Sequence, residues 1–356
     1  MNCLGRLSRG VAGISIAVVM VALLGAADAR AADDAWSSPA AVSGGKIVFQ
    51  VAAAENEDPA AAGKAAAQAL KRQMGDAPLR AVVVSECFED RENKEKLLAG
   101  VASVLPKEIV LGGATYGSFT QAGCADLDAV CLLGIGGDGI SVAAALVPAL
   151  GTAKLTFEEH RAEIEKRLHR AGAALAGKLR RTDRDRLAIL IPDAHAPKNQ
   201  ALVEGVQSVL GKRFAITGGC ANKNANQTFV YFGGRMCEDS AVALLLGGDF
   251  SVALSGRQGK DNDKVISTAR ESAAEALAGL QGKPIAAMAF DCAGRRSKLK
   301  KIEEELAAVQ QSIGKALPLF GCYCAGEIGP VDTEDKKPDA LSGGAGWHIM
   351  FTVIGK

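Results

Sequence analysis

The chain repeats one pattern of short apolar strands and amphipathic helices, and this repetition constrains its fold more than any other feature. The first round has an apolar run of the buried-strand type at 81–88 and apolar residues at helical spacing at 94–106, followed by strands at 108–119 and 128–146. Two of its segments, IVLGGATYG and LLGIGGDGISVAAAL, are similar residue by residue to AITGGCANK and LLLGGDFSVALSG later in the chain. The pattern therefore predicts units duplicated from one ancestor.

Two further rounds follow, each after a long helical segment. The second round spans 187–256 behind a helix predicted at 157–179, and a third, looser round spans 284–355 behind a helix at 268–280. Each unit has the order strand, helix, strand, strand, and two such units can bury each other's sheet faces. We therefore expect an α/β or α+β fold of layered sheets and helices, arranged as a pseudo-symmetric two-domain body.

A glycine-rich segment matches the spelling of a dinucleotide-binding motif but not its context. Residues 134–139 read G-x-G-x-x-G, a motif that has to lead from a strand into the N-terminus of a helix. The counterpart at 244–256 continues with alternating β-type residues instead. We therefore interpret the Gly-Asp step as a hairpin turn between two strands, and we expect no nucleotide cofactor.

The first 31 residues have the features of a secretory signal peptide. Arg6 and Arg9 precede an uncharged run at 11–27, and the small residues around Arg30 form an A-x-A cleavage motif. The run is shorter than the ~20 residues that span a bilayer comfortably, although an uncleaved anchor remains the alternative. We expect cleavage after Ala31, a linker at 32–45, and a periplasmic or secreted product without a stable membrane span.

Composition excludes some classes of partner. Lys and Arg number 41 against 40 for Asp and Glu, and a nearly neutral chain argues against nucleic acid, which requires a clustered basic surface. Aromatic residues make up only 4% of the chain, so a carbohydrate-binding face of stacked rings is not expected.

The segment after the predicted signal peptide contains eight cysteines, which we expect to form few or no disulfides. A domain of this size can hold its core without them, and several lie in apolar strands, where a free thiol acts as a small hydrophobe. Cys124 and Cys237, in polar loops, are the ones most prone to oxidation. No metal site is predicted, because Cys322-Tyr-Cys324 places two sulfurs on one face of a strand but supplies only two ligands.

Polar residues at glycine-rich strand ends form the candidate ligand site. One cluster combines the segments DCAGRR and GCYCAGEIG, in which Arg295 could clamp a carboxylate and Glu327 could receive an ammonium group. The alternative is that these two residues pair with each other. The equivalent loops GGATYGSFTQ and GGCANKNANQT could add a second set of contacts. The predicted ligand-binding residues are Cys292, Arg295, Arg296, Cys322, Tyr323, Glu327, Tyr116 and Asn222.

The segment PLFGCYCAGEIGP (318–330) resembles the C-terminal signature of the FIST family. AMAFDCAGRRSKL (287–299) is similar to the preceding strand and loop of that family, and the first half is similar to the FIST N-terminal domain. The resemblance implies a FIST N-like domain at 46–180 and a FIST C-like domain at 181–356. It also implies a sensory protein for amino acids or similar small metabolites.

The resulting hypothesis is an exported sensor of a small polar, amino-acid-like metabolite that acts through a partner. Since we find no membrane crossing in the mature chain, that partner would be a separate, membrane-bound transducer. The alternative is a thiol-dependent enzyme that uses Cys292 or Cys322 as nucleophile, with His195 or His348 as base. No complete catalytic constellation is evident, so we assign no catalytic residue.

Overall fold

A computed structural model describes residues 34–224 and 227–356 of the chain. The predicted signal peptide lies outside these residues, as does the beginning of the predicted linker. Within the described part, no helix combines the length and the apolar character that a membrane span requires. The described residues form three mixed sheets, each faced by helices. The predicted α/β class and its repeated units are therefore confirmed.

The first unit forms a six-stranded sheet with the order β14-β13-β4-β3-β7-β2. Strands β3 and β4 run parallel, and β7 pairs antiparallel with β3 and β2. Asp58 caps α1 by accepting a hydrogen bond from the Ala60 N–H, with Pro59 as the first helical residue. The elements of this unit are β2 (Val48–Glu55), α1 (Pro59–Met74), β3 (Leu79–Glu86), α2 (Arg91–Ala102), a 3₁₀ turn (Lys107–Ile109), β4 (Val110–Ala114), β5 (Ser118–Thr120), β6 (Gly123–Ala125) and β7 (Ala129–Gly136).

The second unit forms a seven-stranded sheet with the order β1-β8-β15-β9-β10-β19-β20. Strand β1 (Ala35–Ser37) is added at its edge beside β8. The other elements are β8 (Ile140–Val147), α3 (Phe157–Lys178), β9 (Asp185–Pro192), α4 (Asn199–Leu210), β10 (Ile216–Gly219), β11 (Lys223–Asn224), β12 (Gln227–Thr228), β13 (Val230–Phe232), β14 (Arg235–Cys237) and β15 (Ala241–Gly248).

The third unit forms a six-stranded sheet with the order β16-β21-β17-β18-β5-β6. Its parallel pair is β17 and β18. Its elements are β16 (Ser251–Gln258), α5 (Asn262–Ala278), β17 (Pro284–Cys292), α6 (Ala293–Arg296), α7 (Ile302–Ile313), β18 (Leu319–Cys324), β19 (Glu327–Gly329), β20 (Gly343–Ala345) and β21 (His348–Gly355).

The three units exchange strands around a pseudo-threefold axis. Each unit contributes four long strands to its own sheet, namely β2, β3, β4 and β7, then β8, β9, β10 and β15, then β16, β17, β18 and β21. Between the third and the fourth of these strands, the chain of each unit forms a pair of short strands that joins the sheet of another unit. The pair β5–β6 of the first unit joins the third sheet, β13–β14 of the second joins the first, and β19–β20 of the third joins the second. The backbone repeats this symmetry, since Asp128, Asp239 and Trp347, each just before the fourth core strand, have φ of 50°, 45° and 64°. Each unit is therefore tied to both of the others.

The inner faces of the three sheets share one hydrophobic core. It includes Val83 and Leu111 from the first sheet, Ile189 from the second, and Phe290 and Met350 from the third. The outer face of each sheet is covered by its own helices, α1 and α2, α3 and α4, or α5 and α7. This arrangement buries both faces of the central strands, as their continuous apolar sequences predict.

One predicted local feature is wrong. Residues 137–139 do not form a hairpin turn, because β7 belongs to the first sheet and β8 to the second. The turn instead carries the chain from one unit to the next, and a strand rather than a helix follows it, which is not the context of a dinucleotide motif. The domain boundary between residues 180 and 181 stays a prediction.

Candidate functional site

The carboxyl ends of the three parallel strand pairs meet where the units join. A ring of backbone hydrogen bonds closes this junction, and each bond runs from one unit to another. The N–H of Tyr116 donates to the Tyr323 carbonyl (2.9 Å), that of Asn222 to Ala114 (2.8 Å), and that of Ala325 to Cys220 (3.0 Å). The sequence-predicted loops around Tyr116, Asn222 and Cys324 are therefore symmetry-related and adjacent.

Side chains almost fill the interior of this junction. The remaining cavity of about 10 Å³ is lined by Ser85, Thr115, Cys220, Cys322 and Cys324, among others, and it has room for about one water at most. The Cys322 and Cys324 thiols face each other with Sγ atoms 3.6 Å apart, as two residues on one strand face should. Any ligand site at this junction has to lie at its outer end.

Arg295 lies in a closed, fully buried network. Its Nε donates to Asp291 (2.7 Å), its Nη2 to Glu305 (2.8 Å) and the Val265 carbonyl (3.0 Å), and its Nη1 to Thr268 (2.9 Å). The Tyr323 hydroxyl donates to the second Glu305 oxygen (3.0 Å). These bonds hold α5, α6, α7 and the ends of β17 and β18 together, so the guanidinium serves the fold at this position.

Glu327 occupies a separate buried pocket beside Cys292 and His348. Its Oε2 accepts a hydrogen bond from the His348 N–H (3.0 Å). Burial raises the pKa of Glu327 to about 8, opposed by the His348 N–H and the Cys292 thiol. The imidazole Nδ1 lies 2.8 Å from the Gly346 carbonyl and Nε2 lies 2.8 Å from Asp332, while burial lowers the pKa of His348.

Arg296 reaches the outer end of the junction. Its guanidinium carbon lies 5.7 Å from the ring centroids of both Tyr116 and Tyr323, within cation–π range. Nη2 forms an ion pair with Asp126, and Nε is buried without a hydrogen-bond partner among the described residues. The Tyr116 side chain is exposed, and the exposed Leu127 follows Asp126 in the chain. An arginine with an unused donor between two aromatic rings is suited to hold a carboxylate.

The structure places the predicted site residues in four locations rather than one. Arg296, Tyr116, Tyr323 and Asn222 meet at the outer end of the junction, where Asn222 Nδ2 donates to the Tyr323 carbonyl (2.9 Å). Arg295 belongs to the buried ionic network. Cys292 and Glu327 lie together in a separate buried pocket, and Cys322 lines the junction cavity. As ligand contacts, all eight residues stay predictions.

All eight cysteines of the described part have free thiols in the structure. Cys124 and Cys237, predicted to be the most prone to oxidation, are the two partly exposed ones, but they lie in the short strands β6 and β14 rather than in loops. Burial, followed by the Glu327 charge, raises the pKa of Cys292 to about 12. A thiol at that pKa is protonated at neutral pH, and a protonated thiol is a poor nucleophile. The described residues also hold no cluster of three ligating side chains that fits a metal ion.

Several partners of the predicted residues were not evident from the sequence. Asp291 precedes Arg295 by four positions, but it lies at the end of β17 rather than on a helix, so the i, i+4 rule for charged pairs on helices did not point to it. Asp126 and Glu305 also gave no signal, since they approach the arginines from other units or elements of the fold. Leu127 stands out only through its exposure in the structure.

These features define an α/β protein of three interlocked units with a cluster of charged and aromatic residues where the units meet. The family model of the FIST N domain matches residues 81–262, and that of the FIST C domain matches residues 225–330. The chain therefore belongs to the FIST family. FIST domains are sensory domains that bind small ligands.

Two solved structures are similar to this chain at low sequence identity. One is the cyanuric acid hydrolase from A. caulinodans, with 11% identity over 87% of this chain and all of that chain, at a TM-score of 0.45. The other is described as a cyanuric acid hydrolase that arose by structural concatenation, with 11% identity, 87% and 99% coverage, and a TM-score of 0.42. No curated protein sequence matches this chain.

Proposed function

We propose that this protein is an exported FIST sensor that binds a small, amino-acid-like zwitterion at Arg296. The observation that carries the proposal is the surrounding of the guanidinium, which lies between Tyr116 and Tyr323 with a buried, unused Nε donor. The carboxylate of the ligand would bind to Arg296, and its ammonium group would bind to Asp126. Tyr116 would cover the apolar part of the ligand.

Such a ligand would insert into an ion pair that already exists. The Arg296–Asp126 pair is partly exposed, with 17% and 48% of the two side chains accessible. Asp126 is the more exposed partner, so solvent screens this pair more than it would screen a fully buried one. A zwitterion replaces each half of the pair with an opposite charge, and it therefore leaves neither residue unpaired.

A ligand at this position would change the surface formed by Tyr116 and Leu127. Both side chains are exposed, at 45% and 59%, and both belong to the segments that flank the exchanged pair β5–β6. We infer that a separate, membrane-bound partner reads this surface on the outer side of the membrane. Export is checked by the mass of the mature protein, which should begin at Ala32; a chain that retains Met1 would contradict the proposed processing.

The binding proposal is tested by a thermal-shift screen of amino acids and small organic acids. A ligand that binds only the folded protein raises the melting temperature with its concentration. We expect at least one amino acid to do so for the wild type, and Arg296→Gln to abolish the shift. Arg161→Gln is the matched control, because Arg161 also pairs with a carboxylate (Glu165, 2.8 Å) and lies over an aromatic ring (Phe157, 5.1 Å). An unchanged shift in Arg296→Gln would refute the proposed site.

A further inference from the structure

We infer that the chain has a second binding site, for a small aliphatic dicarboxylate, beneath the segment between β19 and β20. We call residues 330–342 the strap. The strap covers a cavity of about 250 Å³ whose opposite wall contains Gln200, Arg213 and Leu254. None of the lining residues belongs to the Arg296 cluster, so the inference does not rest on the proposed function.

Hydrogen bonds anchor the C-terminal end of the strap beside the cavity. Gln207 Nε2 donates to the Ser342 carbonyl (2.7 Å), and the Ser342 hydroxyl donates to the Ile216 carbonyl (2.7 Å). The Leu341 N–H donates to the Lys212 carbonyl (2.9 Å). These bonds attach the strap to α4, to β10 and to the loop between them. The cavity is therefore a defined feature of the fold rather than a gap beneath a loose loop.

The charges that line the cavity favour an anion. The lining contains three cationic side chains, Arg213, Lys336 and Lys337, and one carboxylate, Asp335. Lys337 is paired with Glu204, whereas Arg213 and Lys336 form no ion pair within the described part of the chain. Two unpaired cations at one cavity match two carboxylates of a ligand, and the guanidinium of Arg213 can bind one of them bidentately.

The remaining lining favours a carbon skeleton over a bare inorganic anion. The cavity wall includes apolar side chains from both the strap and β16, namely Leu254, Pro330, Val331, Pro338 and Leu341. Pockets for organic ligands combine such apolar surface with a few placed polar groups. A short aliphatic chain between two carboxylates satisfies both features, and inorganic phosphate satisfies only the charge.

Calorimetric titration of the whole mature chain tests the site with three probes, glutarate, butyrate and inorganic phosphate. We expect glutarate to bind most tightly and butyrate, with one carboxylate, about tenfold more weakly. The double variant Arg213→Gln/Lys336→Gln should weaken glutarate binding by more than about tenfold. Ala340→Phe, which fills the cavity from the strap, should abolish it.

Two control variants test whether glutarate binds beneath the strap and not elsewhere on the surface. The double variant Arg270→Gln/Lys315→Gln removes the same charges elsewhere on the exposed surface and should bind glutarate as the wild type does. Arg296→Gln should also leave glutarate binding unchanged, which separates this site from the proposed zwitterion site. Failure of the wild type to bind glutarate at millimolar concentration would overturn the inference, as would equal affinity for phosphate or unchanged affinity in Ala340→Phe.

Discussion

Arg295 and Arg296 are neighbours in the sequence, but their guanidinium groups have different surroundings. Arg295 is fully buried and bonded to Asp291, Glu305, Thr268 and Val265, whereas Arg296 reaches the surface beside Tyr116. A buried charge has to be paired and hydrogen-bonded, so the first arginine is committed to the fold. The second retains an unused donor, and it is therefore the one to which we assign ligand binding.

At the scale of one residue, the reactivity of the Cys292 thiol tests the alternative that the protein is a thiol-dependent enzyme. Because burial and the nearby Glu327 raise the pKa of the thiol to about 12, its thiolate fraction is minute at neutral pH. We expect iodoacetamide to modify Cys292 far more slowly at pH 8 than it modifies a free cysteine with a pKa of ~8.5. Peptide mass spectrometry of the labelled chain measures the rate at Cys292, and free cysteine labelled under the same conditions gives the reference rate. Labelling as fast as that of the free thiol would revive the enzyme hypothesis.

The raised pKa of Glu327 predicts that the stability of the fold depends on pH. In the folded chain the Glu327 carboxyl holds its proton more tightly than in the unfolded chain, with a pKa of about 8 against an ordinary value of 4.5. Its contribution to stability is therefore complete below about pH 4.5 and is lost as the pH rises through 8. We expect Glu327→Gln to flatten this decline in urea denaturation at a series of pH values. The exposed control Glu334→Gln should follow the wild type, and a Glu327→Gln curve parallel to the wild type would contradict the assignment.

At the scale of elements, a glycine determines how closely β10 can approach β9. Gly218 has φ of 152°, and a Cβ atom there would lie 2.0 Å from the Leu190 carbonyl oxygen. Gly218→Ala should therefore lower the free energy of unfolding by about 1–3 kcal/mol, the range typical of backbone strain. Gly177→Ala in α3 is the control, since no atom lies within 4 Å of its added Cβ, and it should stabilise by about 0.5–1 kcal/mol. Urea denaturation that showed equal effects would contradict the argument.

Most elements could be predicted from local pattern, and those that could not depend on distant contacts. Helical spacing at 94–106, 157–179 and 268–280 corresponds to α2, α3 and α5. Helix α1 was missed although Asp58 and Pro59 carry the start signals of a helix. The prediction of a hairpin at 137–139 was made because two strands joined by a short turn usually pair. It was wrong because β7 and β8 enter different sheets.

The candidate site was predictable only in part, for the same reason. Glycine-rich strand ends pointed to the segments around Tyr116, Asn222 and Arg296, which the structure brings together at the junction of the units. The sequence could not distinguish buried Arg295 from accessible Arg296, because burial depends on α5 and α7 packing against β17. The strap cavity was not anticipated either, since its lining comes from separate parts of the sequence, at 200–213, 254 and 330–343.

At the scale of the whole molecule, the exchange of strands makes the three units mutually dependent. Each sheet contains two strands from another unit, and the inner faces share one core. We expect equilibrium unfolding in urea to show a single transition that coincides for far-UV circular dichroism and tryptophan fluorescence. Two separated transitions would show that parts of the chain unfold independently.

The central claim is that Arg296 binds the carboxylate of a small zwitterion. The most direct measurement is calorimetric titration of wild type and Arg296→Gln with the best-binding amino acid and with its carboxamide derivative. We predict that the wild type binds the acid at least about tenfold more tightly than the amide, which corresponds to about 1.4 kcal/mol, and that Arg296→Gln binds both with equal affinity. Undiminished preference for the acid in Arg296→Gln would contradict the account.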